Sequence, residues 1–469
     1  MKRTWQIGAL TLGWLAGLWL STQFLTQLHA LVLPLVIAGV GAVLYLFKSR
    51  LGLIVLFALA VVGGLVRGQL YFTEQNSLLQ PRDLIGEKVV LSGEVSVAPR
   101  WNDERLYEFY IDDVRRDGES IDGLVKIKTL SGSVAEGQRV VVAGKLGRAL
   151  GRSQAQIWYA DVEIVNFAPP LPIRVKQLME RGLGRALPAE AAALSQGLLF
   201  GGQRGLSEDV QVATKAAGLT HIVAVSGYNL TIVLLLVAAF WRRRTLISVL
   251  AALSLVLFFV VMTGASASVV RAAIMTGVIL LVGTTRRKLD VRVALGVTVL
   301  AMTAWSPAYL FSDLSWQLSV LALVGVLFLA PIFMPKEPRM HKLLWEIFAV
   351  SLAAHLATAP LIAHVFGGFS LIAPLANLII LPLIPLAMLA SFLAASIGIF
   401  VPAQLLWLAL PSRWLVELIL QLIVTFGTMP QAQLNVRLDT AAMIAGYVGL
   451  AMIIALGLRR ASKTRLQQV

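Results

Sequence analysis

Long apolar runs recur along this chain and constrain its fold more than any other feature. Apolar residues make up 58% of the sequence and charged residues only 14%, and several runs exceed the roughly 18 apolar residues that predict a membrane span. The first two spans are expected at residues 7–28 and 30–47. Because the first run lacks a small-residue cleavage site, we expect a retained helix and not a cleaved signal peptide.

Basic residues are concentrated in every second loop between the apolar runs. The chain has 40 Lys and Arg against 25 Asp and Glu. The basic clusters are Lys2-Arg3, Lys48 with Arg50, Arg242–Arg244, Arg286–Lys288, Lys336 with Arg339 and Lys342, and Arg459-Arg460 with Lys463 and Arg465. Cytoplasmic loops carry such clusters, so the pattern predicts an all-α polytopic membrane protein of about 12 transmembrane helices with both termini in the cytoplasm. The net charge of +15 is therefore mostly a topology signal.

The polar region at residues 85–168 differs from the rest of the chain. Alternating apolar and polar residues, separated by Gly, Asp, Asn and Ser, predict five short strands. They are Val89–Val97, Tyr107–Val114, Leu124–Thr129, Arg139–Gly144 and Ile157–Val165. Five strands suggest an inserted small all-β OB-like domain, and the loop charges place it outside the cytoplasm.

Aromatic residues in this β domain are compatible with two roles. They are Trp101, Tyr107, Phe109, Tyr110, Trp158 and Tyr159. Aromatic side chains of single-strand-binding barrels stack on bases, but strand and core packing explains them equally. The domain has 11 basic and 13 acidic residues between positions 86 and 167, whereas phosphate capture favours a basic surface. Docking of a partner protein and closure of the extracytoplasmic side of the protein are alternative roles for the domain.

The sequence divides into four regions. They are N-terminal transmembrane helices over residues 1–72, the β domain over 85–168, amphipathic interfacial helices over 174–217, and a transmembrane block over 218–460. In the third region Arg174, Lys176, Arg181 and Arg185 lie on the extracytoplasmic side, against the general charge rule. Contact with anionic lipid explains them; a basic collar that guides a polyanion is the alternative.

Polar residues stand at the head of one apolar segment, Gly218–Val233. His221, Ser226 and Asn229 lie there, and polar groups at membrane depth are costly enough to be functional candidates. The five-residue offset between His221 and Ser226 places them on different helix faces, and Ser226 does not lie in a Gly-x-Ser-x-Gly elbow. An intramembrane serine hydrolase with His355 as base remains an alternative.

Two further segments carry charged or amide side chains. In Thr263–Met275, Ser268 and Arg271 are three residues apart and share a helix face. An arginine at membrane depth costs roughly 2.5–3.5 kcal/mol, so Arg271 is expected to face protein or water. In a later segment, Asp313 and Gln317 are four residues apart and therefore share one helix face. Asp313 could pair with Arg271 or cap a helix N-terminus; Arg271 could alternatively meet phosphates in a pore.

A fourth polar segment lies at residues 351–377. Ser351, His355 and Thr358 share one helix face, and we expect Pro360 to interrupt that helix. Broken helices are tolerated where the freed backbone groups line a cavity. Asn377 follows. For His355, an interhelical hydrogen bond is the alternative to a functional role.

These segments together resemble the ComEC competence family. Gly218, His221, Ser226 and Gly227 match its Gly, His and Ser-Gly signature, although Tyr228-Asn229 replaces the usual Leu-His. Three further stretches are also similar to the family. They are Thr263–Met275, in which Ser268 leads into Arg271-Ala272, Ser306–Ser319, with Pro307, Asp313 and Gln317-Leu318-Ser319, and Ser351–Asn377, with Pro360 in a helix that Asn377 follows. The resemblance extends over the N-terminal helices, the barrel and the channel block, but not over a C-terminal metallo-β-lactamase-like domain.

The resemblance implies a multi-pass inner-membrane channel of bacteria that takes up single-stranded DNA during natural transformation. The candidate pore residues are then His221, Ser226, Asn229, Ser268, Arg271, Asp313, Gln317, His355 and Asn377. The implied partners are single-stranded DNA, membrane lipid, an extracytoplasmic DNA receptor, a cytoplasmic DNA-translocating ATPase and a further copy of the chain. A transporter of another anionic polymer or of a lipid-linked substrate is the alternative.

The sequence gives no indication of a cofactor or of enzymatic activity. No Gly-x-x-x-x-Gly-Lys-Ser/Thr phosphate loop occurs, so the driving force would come from a partner. The five histidines have no metal-ligand spacing, and the absence of cysteine excludes disulfides and thiolate metal sites. We therefore expect a transporter without a cofactor, and no enzyme.

Overall fold

In the computed structural model, the described part of the chain comprises two groups of helices and one small β-barrel. The described residues are 2–21, 50–78, 86–101, 106–116, 119–121, 124–130, 134, 136–147, 155–165, 169–203, 205–223, 227, 229–232, 246–284, 290–334, 342–430 and 432–466. Unit 1 comprises Met1–Arg174 and Trp241–Leu314, and unit 2 comprises Val175–Phe240 and Ser315–Val469. The predicted span at residues 30–47 lies outside the described residues.

The helices and strands are numbered in chain order. The strands are β1 (Lys88–Trp101), β2 (Tyr107–Arg116), β3 (Glu119–Ile121), β4 (Val125–Thr129), β5 (Arg139–Gly147), β6 (Ala155–Val165), β7 (Phe369–Ser370) and β8 (Gln433–Leu434). The helices before residue 306 are α1 (Lys2–Ser21), α2 (Arg50–Leu78), α3 (Leu171–Ala186), α4 (Ala189–Phe200), α5 (Glu208–Ala216), α6 (Thr220–Val223), α7 (Leu246–Met262), α8 (Ala267–Thr284) and α9 (Val291–Trp305). The later ones are α10 (Ala308–Phe311), α11 (Leu314–Phe328), α12 (Ala330–Phe333), α13 (Lys342–Phe366), α14 (Ala373–Ile380), α15 (Ile384–Phe400), α16 (Leu410–Gly427) and α17 (Thr440–Leu466), with 3₁₀ turns at Leu381–Leu383 and Ala403–Ala409.

The barrel of unit 1 contains all five predicted strands. They correspond to β1, β2, β4, β5 and β6, and the sheet order β1-β5-β6-β4-β2 closes because β1 also pairs with β2. The pairing of β4 with β6 is parallel, whereas the other pairs in the ring are antiparallel. Strand β3, which the sequence pattern did not predict, adds an edge to β2. Fully buried Phe109, Ile111, Ile127 and Ile157 form the centre of the barrel core.

Helices α1 and α2 of unit 1 pack through facing glycines. Gly13 and Gly17 on α1, and Gly64 and Gly68 on α2, each lie so close to the partner helix that a Cβ would collide with it. Small residues at this four-residue spacing let membrane helices approach closely. Arg67 on α2 donates hydrogen bonds of 2.8 and 2.9 Å to carbonyls at the C-terminal end of α9, where helix carbonyls lack helical partners.

Helices α3, α4 and α5 occupy the region predicted at residues 174–217, and their placement at a membrane interface stays a prediction. Nine of the 12 residues of α4 are buried, so this helix is part of the helical core of unit 2. Helix α3 has the expected amphipathic character, yet Gly182 on α3 packs directly against Gly398 on α15. Lys176 is buried, whereas Arg181 and Arg185 are exposed. A basic collar could therefore not include Lys176 in this arrangement.

The described part of the chain contains four helical segments that are long and apolar enough to cross a membrane. They are Leu314–Phe333, Leu344–Phe366, Ala373–Phe400 and Ala403–Gly427. Shorter apolar helices are Leu56–Tyr71, Ile247–Met262, Ala267–Val282, Val291–Trp305 and Thr440–Leu456. These segments support a membrane protein with a small inserted barrel, and the total of about 12 spans stays a prediction.

The predicted interruption of α13 at Pro360 is wrong. The helix continues from Lys342 to Phe366 with Pro360 in its interior. A proline removes one backbone donor from a helix, but neighbouring helices can compensate for this loss within a bundle. Gly446 on α17 lies against the Pro360 ring, where a Cβ would be 3.4 Å from the ring. The proline is thus accommodated by packing against another helix.

Candidate functional site

The candidate residues lie in both units of the chain. Ser268, Arg271 and Asp313 belong to unit 1, and His221, Asn229, Gln317, His355 and Asn377 belong to unit 2. Ser226 falls outside the described residues. Each group is therefore described within its own unit.

The turn before α6 brings His221 to the start of α14. Gly218 has a φ of +71°, and a Cβ there would lie 2.5 Å from Ala373 Cβ and 2.9 Å from Ser370 Cβ. Only glycine combines this conformation with such a close approach. The exposed His221 ring donates from Nδ1 to the Gly218 carbonyl at 3.1 Å. Through Gly218 this turn also lies beside Ser370, whose backbone contacts His355.

Helices α13 and α14 join two polar residues that the sequence singled out separately. The Asn377 amide donates a hydrogen bond of 2.8 Å to the Ser351 hydroxyl, and both side chains are buried. One turn further along α13, the His355 ring lies 5.9 Å from the Phe369 ring and contacts the Ser370 backbone. The sequence reasoning did not single out Ser370, which is a lone serine in a two-residue strand.

We refer to His221, Ser351, His355, Ser370 and Asn377 as the polar cluster. Its members come from α6, α13, β7 and α14, so segments more than 100 residues apart in the chain contribute to it. Two of its buried atoms, His355 Nε2 and Asn377 Oδ1, have no hydrogen-bond partner within the described part of the structure. Buried polar groups of this kind are rare in folded proteins, and the cluster is therefore the strongest candidate site in unit 2.

Asn229 has a structural contact in unit 2. Its side chain is only 2% exposed, and its amide donates to the Leu198 carbonyl at 2.9 Å. Leu198 lies in the last turn of α4, where carbonyls lack helical partners. Asn229 thus ties the segment after α6 to the end of α4, and a pore-lining role for it stays a prediction.

The candidates in unit 1 are buried in its helical part. Arg271 on α8 is 9% exposed and Asp313 is 2% exposed, while Ser268 is half-buried. Asp313 directly precedes α11, which begins at Leu314; this is the position of an N-cap residue. Burial of both residues is compatible with an ion pair and with contact to a passing phosphate.

The barrel contacts the turn that precedes α8. A Cβ on Gly264 would lie 3.5 Å from Glu136 Oε1 and 3.8 Å from the Ser96 carbonyl oxygen. Gly264 has a φ of +73° and Ala265 a φ of 49°, so two left-handed residues form the turn. The barrel therefore lies directly beside the segment that leads to Arg271. Sequence reasoning missed Glu136, because nothing in its local pattern indicates this contact.

Comparison with known proteins connects these segments to one family. The family model described as Competence protein matches residues 198–461, a range that includes all nine candidate residues and the polar cluster. The chain is 24% identical over 305 residues to the ComE operon protein 3 of Bacillus subtilis (strain 168). That alignment covers 62% of this chain and 39% of the relative, so the chain matches less than half of the relative's length. No solved structure matches the chain. Because the family model covers more than half of the sequence, the predicted membership is confirmed: the chain belongs to the competence protein family.

Proposed function

We propose that the chain is an inner-membrane channel that takes up single-stranded DNA during natural transformation. The observation that carries this proposal is the family match over residues 198–461, a range that includes apolar helices of both units and the polar cluster. Polar side chains in such helices are typical of substrate pathways. In unit 2, His221, an exposed member of the polar cluster, would border the path of the strand. In unit 1, Arg271 would contact phosphates.

The strand order of the barrel supports an OB-like domain. Counting the five ring strands along the chain as one to five, the ring runs one-two-three-five-four and closes back on strand one. The pairing of β4 with β6 makes strands three and five parallel. This is a five-stranded Greek-key arrangement, as in OB folds, which bind oligonucleotides. The barrel would receive DNA outside the cytoplasm.

The proposed topology is testable with reporter fusions. A reporter inserted within residues 112–122 should be extracytoplasmic, and reporters near Arg243, Arg287 and Val469 should be cytoplasmic. An extracytoplasmic receptor would then deliver DNA to the barrel side, and a cytoplasmic ATPase would pull the strand. A cytoplasmic signal from the barrel fusion would contradict the proposed direction of transport.

Single cysteines provide the test of the pore. The natural chain has no cysteine, so a charged thiol reagent can react only at an introduced site. We expect the reagent to block DNA uptake by Thr220→Cys, because exposed Thr220 adjoins His221 in α6. Phe392→Cys is the matched control, since Phe392 is exposed on the apolar helix α15 and would face lipid. Full uptake by the labelled Thr220→Cys protein would count against a path beside the polar cluster.

A further inference from the structure

Tyr159 on the outer surface of the barrel has an unusual backbone conformation. Its φ is 50°, and its side chain is 71% exposed. A positive φ is a genuine outlier for a bulky residue and costs on the order of 1–3 kcal/mol. Since an exposed side chain gains no core packing in return, the conformation requires another explanation.

A β-bulge produces this conformation. Along the β5–β6 ladder, Ala143 pairs with Asp161 and Lys145 pairs with Trp158, so Gly144 alone opposes Tyr159 and Ala160. A Cβ on Gly144 would lie 3.2 Å from the Ala160 Cα, and Ala160 is buried. Bulges can re-aim a side chain. Here the extra residue keeps Ala160 in the core and directs Tyr159 into solvent.

Basic residues lie across the neighbouring strands at the same level of the barrel. Lys88 on β1 pairs with Lys145 on β5, and Lys145 pairs with Trp158 on β6. Residues that are paired across a ladder share one face of the sheet. Lys128 on β4 continues the line, because its Nζ lies 3.9 Å from the centre of the Trp158 ring. We call Lys88, Lys145, Trp158 and Lys128 the basic row; Lys88 and Lys145 are exposed.

Several acidic side chains lie at the other end of the same strands. Glu94 on β1 pairs with Asp112 on β2, and the neighbouring Asp113 binds Arg139 and Arg115. Glu94 lies six residues along β1 from Lys88. The surface beside Tyr159 carries the exposed lysines Lys88 and Lys145 together with one exposed carboxylate, Asp161, two residues further along β6.

Three other aromatics of the barrel have neighbours within it. Phe109 is in the core, and the Tyr110 ring faces Lys126, which pairs with Glu108 at 2.6 Å. One face of Trp158 is covered by Lys128. Among the predicted stacking residues whose exposure the structure describes, Tyr159 is the exposed one. Trp101 is not part of this comparison, because its side chain is not described.

We propose that Tyr159 and the basic row form a contact surface for single-stranded DNA, in which a base stacks on Tyr159 and phosphates meet Lys88 and Lys145. Surfaces that bind single strands combine aromatic platforms with cations along the backbone. A single strand leaves its bases free to stack, whereas a duplex presents mainly phosphates. The proposal rests on the proposed DNA uptake and adds the surface that first holds the strand.

Binding of a fluorescent oligothymidylate to the purified full-length protein in detergent tests this surface. Tyr159→Gly is the decisive variant, because glycine removes the ring and tolerates the positive φ. We expect it to bind about 5- to 100-fold more weakly while its thermal stability stays equal or rises. Tyr159→Phe should keep wild-type affinity. Unchanged affinity of Tyr159→Gly would overturn the proposal.

The salt dependence of binding separates the lysines from the tyrosine. Affinity for single strands falls as salt rises, and each lost phosphate contact makes the slope of log affinity against log salt less steep by about 0.7. Lys145→Ala should show this change, whereas Tyr159→Gly should keep the wild-type slope. The matched control is Arg115→Ala, which removes one exposed positive charge from the acidic end. An equal effect of Lys145→Ala and Arg115→Ala would show only nonspecific attraction and overturn the proposal.

DNA uptake by the same variants distinguishes this surface from the channel. One outcome is that the wild-type gene restores uptake to a deletion strain while the Tyr159→Gly protein binds and transports DNA normally. In that case the proposed contact surface at Tyr159 is wrong and the proposed channel function stands. If the deletion strain takes up DNA normally, the channel function itself fails, whatever the binding results are.

Discussion

The Asn377 amide on α14 donates a hydrogen bond to the Ser351 hydroxyl on α13, and both residues are buried among apolar helices. In such surroundings neither group can exchange its partner for bulk water. The bond therefore fixes α14 against the turn of α13 that precedes His355. This geometry leads to our first prediction.

Asn377→Ala should destabilise unit 2 by about 1–3 kcal/mol, because it leaves the buried Ser351 hydroxyl unpaired. Ser351→Ala should also destabilise it, and the double variant should cost less than the sum of the two single variants. A double-mutant cycle on thermal unfolding in detergent measures the coupling, which we expect at about 0.5–3 kcal/mol. Additive effects would mean that the bond contributes nothing to stability.

Gly218 allows a second prediction with a matched control. Gly218→Ala adds backbone strain and a collision with Ala373 Cβ, whereas Gly367→Ala adds strain alone, since Gly367 has a φ of +73° and open space around it. We expect the apparent Tm to fall in both variants and further for Gly218→Ala. The Gly218 variant should also lose DNA uptake, because the turn positions His221. Equal Tm shifts would show that the close packing of this turn is relaxed.

Local patterns were sufficient to predict the barrel strands and the family signature. The alternation in β1, β2, β4, β5 and β6 depends on neighbouring residues only, and these strands were all found. The burial of α4 was not predictable in this way, because an apolar helix of 12 residues has the same composition at an interface and in a core. The bulge at Tyr159 depends on Gly144 of the opposite strand, which no local pattern reveals.

The candidate site was only partly predictable for the same reason. Ser351, His355 and Asn377 stood out as polar residues in apolar surroundings, and the structure brings them together on α13 and α14, beside the turn that precedes His221. Asn229 stood out equally, but its partner is a backbone carbonyl 31 residues earlier in the chain. Pro360 was expected to interrupt a helix, yet α13 continues through it, and the Pro360 ring packs against Gly446. Tertiary contacts decided each of these outcomes.

Exchanging the charges of Arg271 and Asp313 distinguishes a phosphate-binding role of Arg271 from a structural ion pair between the two residues. If Arg271 acts on phosphates, Arg271→Asp combined with Asp313→Arg should remain inactive in DNA uptake, and Arg271→Lys should keep partial activity, since a point charge still attracts phosphate. Protein level and membrane insertion serve as controls. Full rescue by the exchanged pair would indicate that the two residues only form a structural bridge.

Glu94 predicts how the stability of the barrel depends on pH. Burial, reinforced by repulsion from Asp112, raises the pKa of Glu94 above its ordinary value of 4.5. The Glu94 carboxyl therefore binds its proton more tightly in the folded barrel than in the unfolded chain. Its contribution to the free energy of unfolding is complete below pH 4.5 and is lost as pH rises through the pKa of Glu94 in the folded state.

Glu94→Gln should remove this part of the pH dependence and raise the apparent Tm at neutral pH. Thermal unfolding of the purified protein at a series of pH values from about 4 to 7 measures both effects. Glu163→Gln makes the same charge change at an exposed position on β6 and serves as control. A wild-type dependence of the Tm on pH in Glu94→Gln would show that Glu94 is not the source of this pH dependence.

Internalisation of labelled DNA is the most direct measurement of the central claim that a DNA strand crosses the membrane through this chain. Fluorescent duplex DNA is offered to the encoding bacterium with the gene intact, deleted and restored, and label inside the cytoplasm is separated from label bound at the surface by nuclease treatment. We predict that the deletion strain retains surface-bound DNA but contains no nuclease-protected label, and that the intact gene restores it. Nuclease-protected label at the wild-type level in the deletion strain would contradict the account.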